Sequence, residues 1–154
     1  MIKVMTPEYR DQVLAIWLAE TTKAHPFISN GYWAKNFIKV KNQYLPASET
    51  VICVEGGQLK GFLSLLDGHH IGALFVASEF QGQGVGTRLL EYIMDNCDEL
   101  TLKVYAENER AVGFYEHMGF YEEDRSLNEE TGHLEYTMSW ISGDMEELLF
   151  GLQC

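Results

Sequence analysis

The sequence predicts an α/β fold in which helices flank a mixed, mainly antiparallel central sheet. Three observations support it: short apolar runs rich in β-branched residues are separated by glycine turns, other segments have helical apolar spacing, and a glycine-rich turn joins a strand to a helix in mid-chain. The predicted order is β-α-α-β-β-β-α-β-α-β-β. Antiparallel strands come first, and a strand–helix–strand crossover lies in the middle.

The strands are predicted from apolar runs bounded by turn residues. Gly56-Gly57 and Asp67-Gly68 are hairpin turn signals, so the three strands around them form a meander. Polar residues separate the last two strands. The predicted strands cover residues 1–5, 50–55, 58–66, 70–76, 100–105, 121–127 and 133–140.

The helices are predicted from helical spacing and end signals. Thr6 is the expected N-cap of the first helix, with Pro7 at its first position, and Leu45-Pro46 ends the second. Gly119 ends the fourth. Val85, Leu89, Ile93 and Cys97 form an apolar stripe on the third helix. The predicted helices cover residues 6–22, 32–44, 86–97 and 108–118, with an ambiguous short one at 144–150.

Composition limits the classes of partner. The 154 residues carry 11 basic and 23 acidic side chains, a net charge of −12, which counts against nucleic acid and anionic membranes and favours a cationic partner. The charge is uneven, because residues 121–154 contain nine acidic residues and one basic residue. A chain of this length is expected to form one domain with its own core.

Cysteine usage and the N-terminus favour the cytoplasm. Cys53, Cys97 and Cys154 are odd in number and lack metal-ligand spacing, so reduced thiols and no metal site are expected. No apolar run approaches the roughly 20 residues that span a bilayer, and the N-terminus lacks a signal-peptide pattern.

The glycine segment predicts an anion site. In Gln81-Gly82-Gln83-Gly84-Val85-Gly86-Thr87-Arg88, alternate glycines let the backbone turn sharply before a helix. Successive N–H groups and the helix N-terminus then favour a group such as pyrophosphate. The spacing fits neither a Walker A loop nor the dinucleotide fingerprint, and a tight turn without a ligand is the alternative.

A second segment, Asn108 to Phe120, by itself indicates only an amphipathic helix ended by glycine, with Phe114 and Met118 as core residues. Together the two segments resemble the GNAT superfamily, the Gcn5-related N-acetyltransferases. The family patterns are Gln/Arg-x-x-Gly-x-Gly/Ala and Asn-x-x-Ala-x-x-Phe-Tyr-x-x-x-Gly-Phe. Every named position matches, and the two motifs are 22 residues apart, from Gly86 to Asn108.

The resemblance implies a single N-acetyltransferase domain over residues 1–140, with 141–154 as its C-terminal tail. It implies acetyl-CoA as cosubstrate, in a splayed cleft between the fourth and fifth strands. Arg88 is either a further charged contact or a solvated side chain. The implied cofactor-binding residues are Leu74, Phe75, Val76, Gln81, Gly82, Gln83, Gly84, Val85, Gly86, Thr87, Arg88, Asn108, Ala111, Phe114 and Tyr115.

The resemblance also implies direct attack of a neutral amine on the thioester carbonyl, with the CoA thiolate leaving. A backbone N–H of 74–76 would polarise that carbonyl, and Tyr115 matches the family's general acid. The base stays open between His70, His25 and ordered water. His25, Phe27 and Tyr32 are the implied substrate-side residues.

The acceptor is expected to be a primary amine. A likeness to small bacterial members of the superfamily, carried by 21–22, 25–28, 32–33 and 138–140, favours a protein lysine. A small-molecule amine acetyltransferase and a non-catalytic acyl-CoA sensor are the alternatives. No motif favours a monomer over a homodimer. The C-terminal tail can pack on its own sheet or on a second chain, and packing on its own sheet is the default expectation.

Overall fold

The computed structural model describes residues 1–143. The chain forms two compact units, Met1–Tyr92 and a second unit that begins at Ile93. The ambiguous helix at 144–150 lies outside the described residues. Within the described part, no helix is long and apolar enough to cross a membrane.

The first unit is built on an antiparallel meander in which each strand pairs with the next along the chain. The predicted turns lie between its strands, and Gly57 and Gly68 have left-handed φ of 77° and 76°. Its elements are β1 (Ile2–Val4), α1 (Arg10–Ala24), α2 (Asn30–Lys39), α3 (Leu45–Ala47), β2 (Glu49–Glu55), β3 (Gln58–Leu66), β4 (His70–Val76) and most of α4 (Val85–Met94).

The core of the first unit lies between α1 and the strands β3 and β4. Val13, Leu14 and Trp17 are buried on α1, and Phe62 and Leu63 are buried on β3. The predicted stripe on α4 is confirmed at Val85, Leu89 and Ile93, which are all buried, whereas Cys97 follows the end of the helix. Replacing one such leucine by alanine typically costs about 2–5 kcal/mol.

The helix ends differ from the predictions for local reasons. The Thr6 hydroxyl donates to Glu8 Oε1 at 2.9 Å, and the Thr6 carbonyl accepts from the Tyr9 N–H at 3.0 Å. Thr6 therefore starts a 3₁₀ turn, Pro7–Tyr9, instead of capping the helix through its side chain. The α-helix itself begins at Arg10 and continues to Ala24, beyond the predicted end.

The second helix is extended past its predicted stop. A wider π-helical turn, Val40–Tyr44, follows α2, and Pro46 then lies in the first turn of α3. The first turn of a helix needs no N–H donor from proline. Leu45-Pro46 therefore begins a short helix instead of ending the long one, and that prediction is wrong.

One β4 residue breaks the regular pairing with β3. Ser64 is opposite Ala73 while Leu65 is opposite Ile71, so Gly72 is the extra residue of a bulge. A Cβ at Gly72 would lie 3.1 Å from Leu66 Cδ1. A bulge bends its strand and changes the facing of the residues after it, and the sequence pattern did not predict this one.

In the second unit, β7 pairs antiparallel with both β5 and β6. α5 packs against β5, whose alternate residues Leu100, Leu102 and Val104 are buried. β6 is exposed along its whole length and carries the acidic run at 122–124. The elements are β5 (Glu99–Tyr105), α5 (Glu109–His117), β6 (Tyr121–Leu127) and β7 (Leu134–Ile141).

Candidate active site

The glycine loop, residues 81–87, has the backbone that the sequence predicts for an anion site. Gly82 and Gly84 have left-handed φ of 77° and 82° and alternate with non-glycine residues. A Cβ at either position would meet no atom within 4 Å, so the space in front of the loop is open. Such alternation turns successive N–H groups towards one side.

The N-terminus of α4 completes this loop. The first-turn N–H groups of a helix have no intrahelical partner, and the helix dipole favours a negative group there. No acidic residue lies in the first turn of α4. Gly86 is already the second residue of α4, so two of the three glycines supply the sharp turn. These features fit a pyrophosphate.

The chain that enters the loop is fixed by Glu20, which the sequence analysis did not single out. Gln81 Nε2 donates to the Val76 carbonyl at 2.9 Å and to Glu20 Oε1 at 3.1 Å. Ser78 Oγ also contacts both Glu20 oxygens at 2.8 Å. One feature of the sequence could have indicated this role: Glu20 is the only acidic residue in the otherwise apolar stripe of α1, and the structure shows that it is buried.

The end of β4 that precedes the loop packs unusually close to β3. Leu74, Phe75 and Val76 lie opposite Leu63, Phe62 and Gly61. A Cβ at Gly61 would lie 2.8 Å from the Phe75 carbonyl oxygen, so only glycine permits this approach. The predicted cofactor strand is thus held at a fixed position on β3.

Arg88 has a protein partner. Its Nη1 forms an ion pair with Glu55 Oε1, and Lys60 Nζ lies 3.1 Å from Glu55 Oε2. The hydrogen bond from Arg88 is the main cause that lowers the pKa of Glu55 to about 2, with a smaller effect from Lys60. The guanidinium is therefore held beside the loop by a carboxylate that is ionised at neutral pH.

Tyr115 is buried and held by the end of its helix. Gly119 has φ of 98°, and the Phe120 N–H donates to the Tyr115 carbonyl at 2.9 Å, as in a Schellman motif. The rings of Phe114 and Phe120 lie 5.3 and 5.5 Å from the Tyr115 ring. Burial raises the pKa of Tyr115, so its phenol keeps its proton at neutral pH.

The other signature residues have structural contacts. Asn108 Oδ1 accepts from the Ala111 N–H at 3.3 Å, so Asn108 is the N-cap of α5. Phe114 and Met118, predicted as core, are only half-buried. Tyr115 and Phe120 are the buried residues of this segment, and the Schellman turn joins their backbones while their rings lie in contact.

Two candidate bases differ in their surroundings. His25 is buried, its Nδ1 lies 2.6 Å from the Thr21 carbonyl, and its ring lies 5.0 Å from that of Trp33. Burial lowers the pKa of His25, which the Thr21 contact partly opposes. His70 is half-buried and pairs with Leu66 at the opposite end of β4 from the glycine loop.

The substrate-side aromatics form one group in the first unit. The Phe27 ring lies 5.7 Å from that of His25, and the Tyr32 ring lies 4.9 Å from that of Trp33. Phe27 and Tyr32 are half-buried, while Trp33 is buried. Among the described residues, the indole N–H of Trp33 is buried without a hydrogen-bond partner.

Two relatives, and the solved structure of one of them, resemble the chain over most of its length. It is 35% identical to the peptidyl-lysine N-acetyltransferase YiaC of Escherichia coli K12, covering 83% of this chain and 88% of YiaC. It is 36% identical to the peptidyl-lysine N-acetyltransferase YjaB of the same organism, and the match covers 81% of this chain and 84% of YjaB. The solution structure of apo YjaB from Escherichia coli has a TM-score of 0.79 at 30% identity, and the match covers 93% of this chain and 98% of that structure's chain.

The family resemblance is confirmed on the same grounds. Residues 6–141 match the acetyltransferase (GNAT) domain family, and the likeness to YjaB confirms the α/β fold class with its mainly antiparallel sheet and flanking helices. The chain therefore belongs to the GNAT family and is an N-acetyltransferase that uses acetyl-CoA as its acetyl donor.

Proposed function

We propose that the acceptor is the side-chain amine of a protein lysine. Support comes from the names of YiaC and YjaB, both peptidyl-lysine N-acetyltransferases at 35% and 36% identity. The half-buried rings of Phe27 and Tyr32 suit an aliphatic chain that ends in a cation. The net charge of −12 favours approach of a protonated amine.

The glycine loop is proposed to hold the cofactor pyrophosphate. Its open face, its two left-handed glycines and the N-terminus of α4 are the supporting observations. The backbone of 74–76 would bind the pantetheine arm and polarise the thioester carbonyl. Arg88 and the residues of the second signature would add further contacts. Acetyl-CoA itself supplies the acetyl group as an activated thioester.

Tyr115 is proposed as the general acid that protonates the leaving sulfur. Its side chain is buried and its phenol is protonated at neutral pH, so a proton is available for the leaving sulfur. His70 is the proposed base. His25 is the weaker candidate because burial lowers its pKa, which makes it a weaker base, and because its Nδ1 is engaged with Thr21. We therefore assign it to supporting Phe27 and Trp33.

A competition among acceptors tests the proposal. The purified chain is given acetyl-CoA with a lysine peptide whose α-amine is blocked, the same peptide with arginine for lysine, an unblocked lysine-free peptide, free lysine and spermidine. We expect kcat/KM for the blocked lysine peptide to exceed that of every other amine at least tenfold. Faster acetylation of a free amine or an α-amine would overturn the lysine assignment, and no thiol release with any amine would favour an acyl-CoA sensor.

The oligomeric state and the domain boundary are proposals as well. We propose that residues 1–140 act as one catalytic domain, with 141–154 as its tail, in a monomer or a homodimer. Light scattering of the active protein decides between the two, because it shows whether activity comigrates with the monomer or with the dimer.

A further inference from the structure

We propose that Glu20 is a positioning residue for the cofactor, acting through Gln81 on the glycine loop. The inference rests on the proposed role of that loop as the pyrophosphate site. Glu20 lies on α1 and is only 6% exposed, whereas its hydrogen-bond partners lie 58 and 61 residues later in the chain. α1 is thereby tied to the segment that joins β4 to the loop.

The contacts of the carboxylate leave little freedom to that segment. Glu20 accepts from Ser78 Oγ at 2.8 Å and from Gln81 Nε2 at 3.1 Å. Lys23 Nζ lies 3.7 Å from Glu20 Oε2 and donates to Ser78 Oγ at 2.8 Å. A buried carboxylate is costly unless such partners satisfy it, so the cluster holds one arrangement.

Gln81 connects this cluster to the loop. Its side-chain nitrogen donates to both Glu20 and the Val76 carbonyl, the last carbonyl of β4. Since Gly82 follows directly with left-handed backbone, the orientation of Gln81 determines where the loop's N–H groups point. Without Glu20, the Gln81 amide loses one of these two hydrogen bonds and keeps the one to the Val76 carbonyl. The amide then gains rotational freedom.

The role of Glu20 is geometric and not electrostatic. A carboxylate near a pyrophosphate site repels its ligand, and Lys23 and Ser78 offset that charge. Glu20→Gln retains an acceptor oxygen for Gln81, and the Ser78 hydroxyl can turn to accept from the new amide. The conservative variant should therefore preserve the loop, whereas Glu20→Ala should release it.

Two acetyl donors test the inference. Acetyl-pantetheine lacks the pyrophosphate that acetyl-CoA presents to the loop, together with the 3'-phosphoadenosine attached to it. The ratio of kcat/KM for the two donors therefore reports on binding of that part of the cofactor and not on the pantetheine arm or the acetyl group. We expect Glu20→Ala to lower this ratio about tenfold through KM for acetyl-CoA, with acetyl-pantetheine unchanged within twofold. Glu20→Gln should stay within threefold of wild type. Thr21→Ala, which removes another buried polar group of α1, should lower the melting temperature without changing the ratio.

Gln81→Ala supplies a second route to the same answer, because it removes the link without disturbing α1. It should reproduce the lowered ratio, and adding Glu20→Ala should lower it no further. An equal loss with both donors in Glu20→Ala, or an unchanged ratio in Gln81→Ala, would overturn the inference. A wild-type enzyme that does not discriminate between the donors would instead overturn the pyrophosphate site of the proposed function.

Discussion

Oε1 of Glu20 accepts a hydrogen bond of 3.1 Å from Nε2 of Gln81, across 61 residues of sequence. The contact joins α1, which lies between β1 and β2 in the sequence, to the loop that follows β4. A local sequence pattern cannot predict such a pair, because helical and strand periodicities relate only residues that are a few positions apart. The pair therefore depends on the packing of α1 against β3 and β4.

Gly84→Ala should weaken cofactor binding. Alanine at φ of 82° is strained, by about 1–2 kcal/mol, and relief of that strain would turn the loop's N–H groups away from the pyrophosphate. We expect KM for acetyl-CoA to rise about tenfold, which corresponds to roughly 1.4 kcal/mol. Steady-state kinetics with varied acetyl-CoA measures it.

Gly57→Ala is the matched control for this prediction. Gly57 has φ of 77°, and a Cβ there meets no atom within 4 Å, so the backbone strain is alike. It lies in the turn between β2 and β3, and the variant should keep the wild-type KM. Equal KM values for the two variants would contradict a special role of Gly84.

Tyr115→Phe should lower kcat about 100-fold, the usual range for losing a general acid, while KM for acetyl-CoA stays within twofold. The ring contacts with Phe114 and Phe120 survive, so the fold should be preserved. Because burial raises the pKa of Tyr115, its ionisation should not limit kcat between pH 7 and 9. Initial rates over that range measure both effects.

Tyr121→Phe is a suitable control, since Tyr121 is 47% exposed on β6 and should give wild-type rates. A full rate in Tyr115→Phe would remove Tyr115 from the mechanism. Loss of cofactor binding with an unchanged kcat would make it a binding residue.

The parts of the fold that local chemistry determines were predictable. β3 and β4 have the predicted bounds because Gly56-Gly57 and Asp67-Gly68 provide the left-handed turns between strands. The Gly72 bulge was not predictable, since a single extra residue appears only in the pairing with β3. The role proposed for Tyr115 comes from the family motif, and the Schellman turn at Gly119 accompanies the contact between the rings of Tyr115 and Phe120.

Glu55→Gln should tighten cofactor binding. The hydrogen bond from Arg88 is the main cause that lowers the pKa of Glu55 to about 2, so Glu55 is ionised at neutral pH and offsets the charge of Arg88. Releasing the guanidinium would present a positive charge near the helix start, so we expect Kd for CoA to fall two- to fivefold at low salt. The gain should shrink at 0.5 M salt because exposed charges are screened. Calorimetric titration at two salt concentrations measures it.

The double variant Glu55→Gln/Arg88→Ala separates this explanation from a simple change in net charge. It should lose the gain entirely if the guanidinium carries it. Persistence of the tighter Kd in the double variant would show that removal of the Glu55 charge acts without Arg88.

His25 should make the fold sensitive to acid. Its folded pKa lies below the unfolded value of 6.5 because burial disfavours the charged ring. The unfolded state therefore binds more protons below pH 6.5, so this contribution to the free energy of unfolding is complete above that pH and is lost as the pH falls. A difference of one bound proton changes the free energy of unfolding by at most about 1.4 kcal/mol per pH unit.

Urea unfolding between pH 5 and 7.5 measures this slope. His25→Gln should reduce the loss of stability on acidification relative to wild type, whatever its stability at pH 7.5. His69→Gln, at an exposed turn position, should keep the wild-type slope. The same pH dependence in all three proteins would mean that His25 titrates alike in the folded and unfolded states, which would contradict its burial between Trp33 and Phe27.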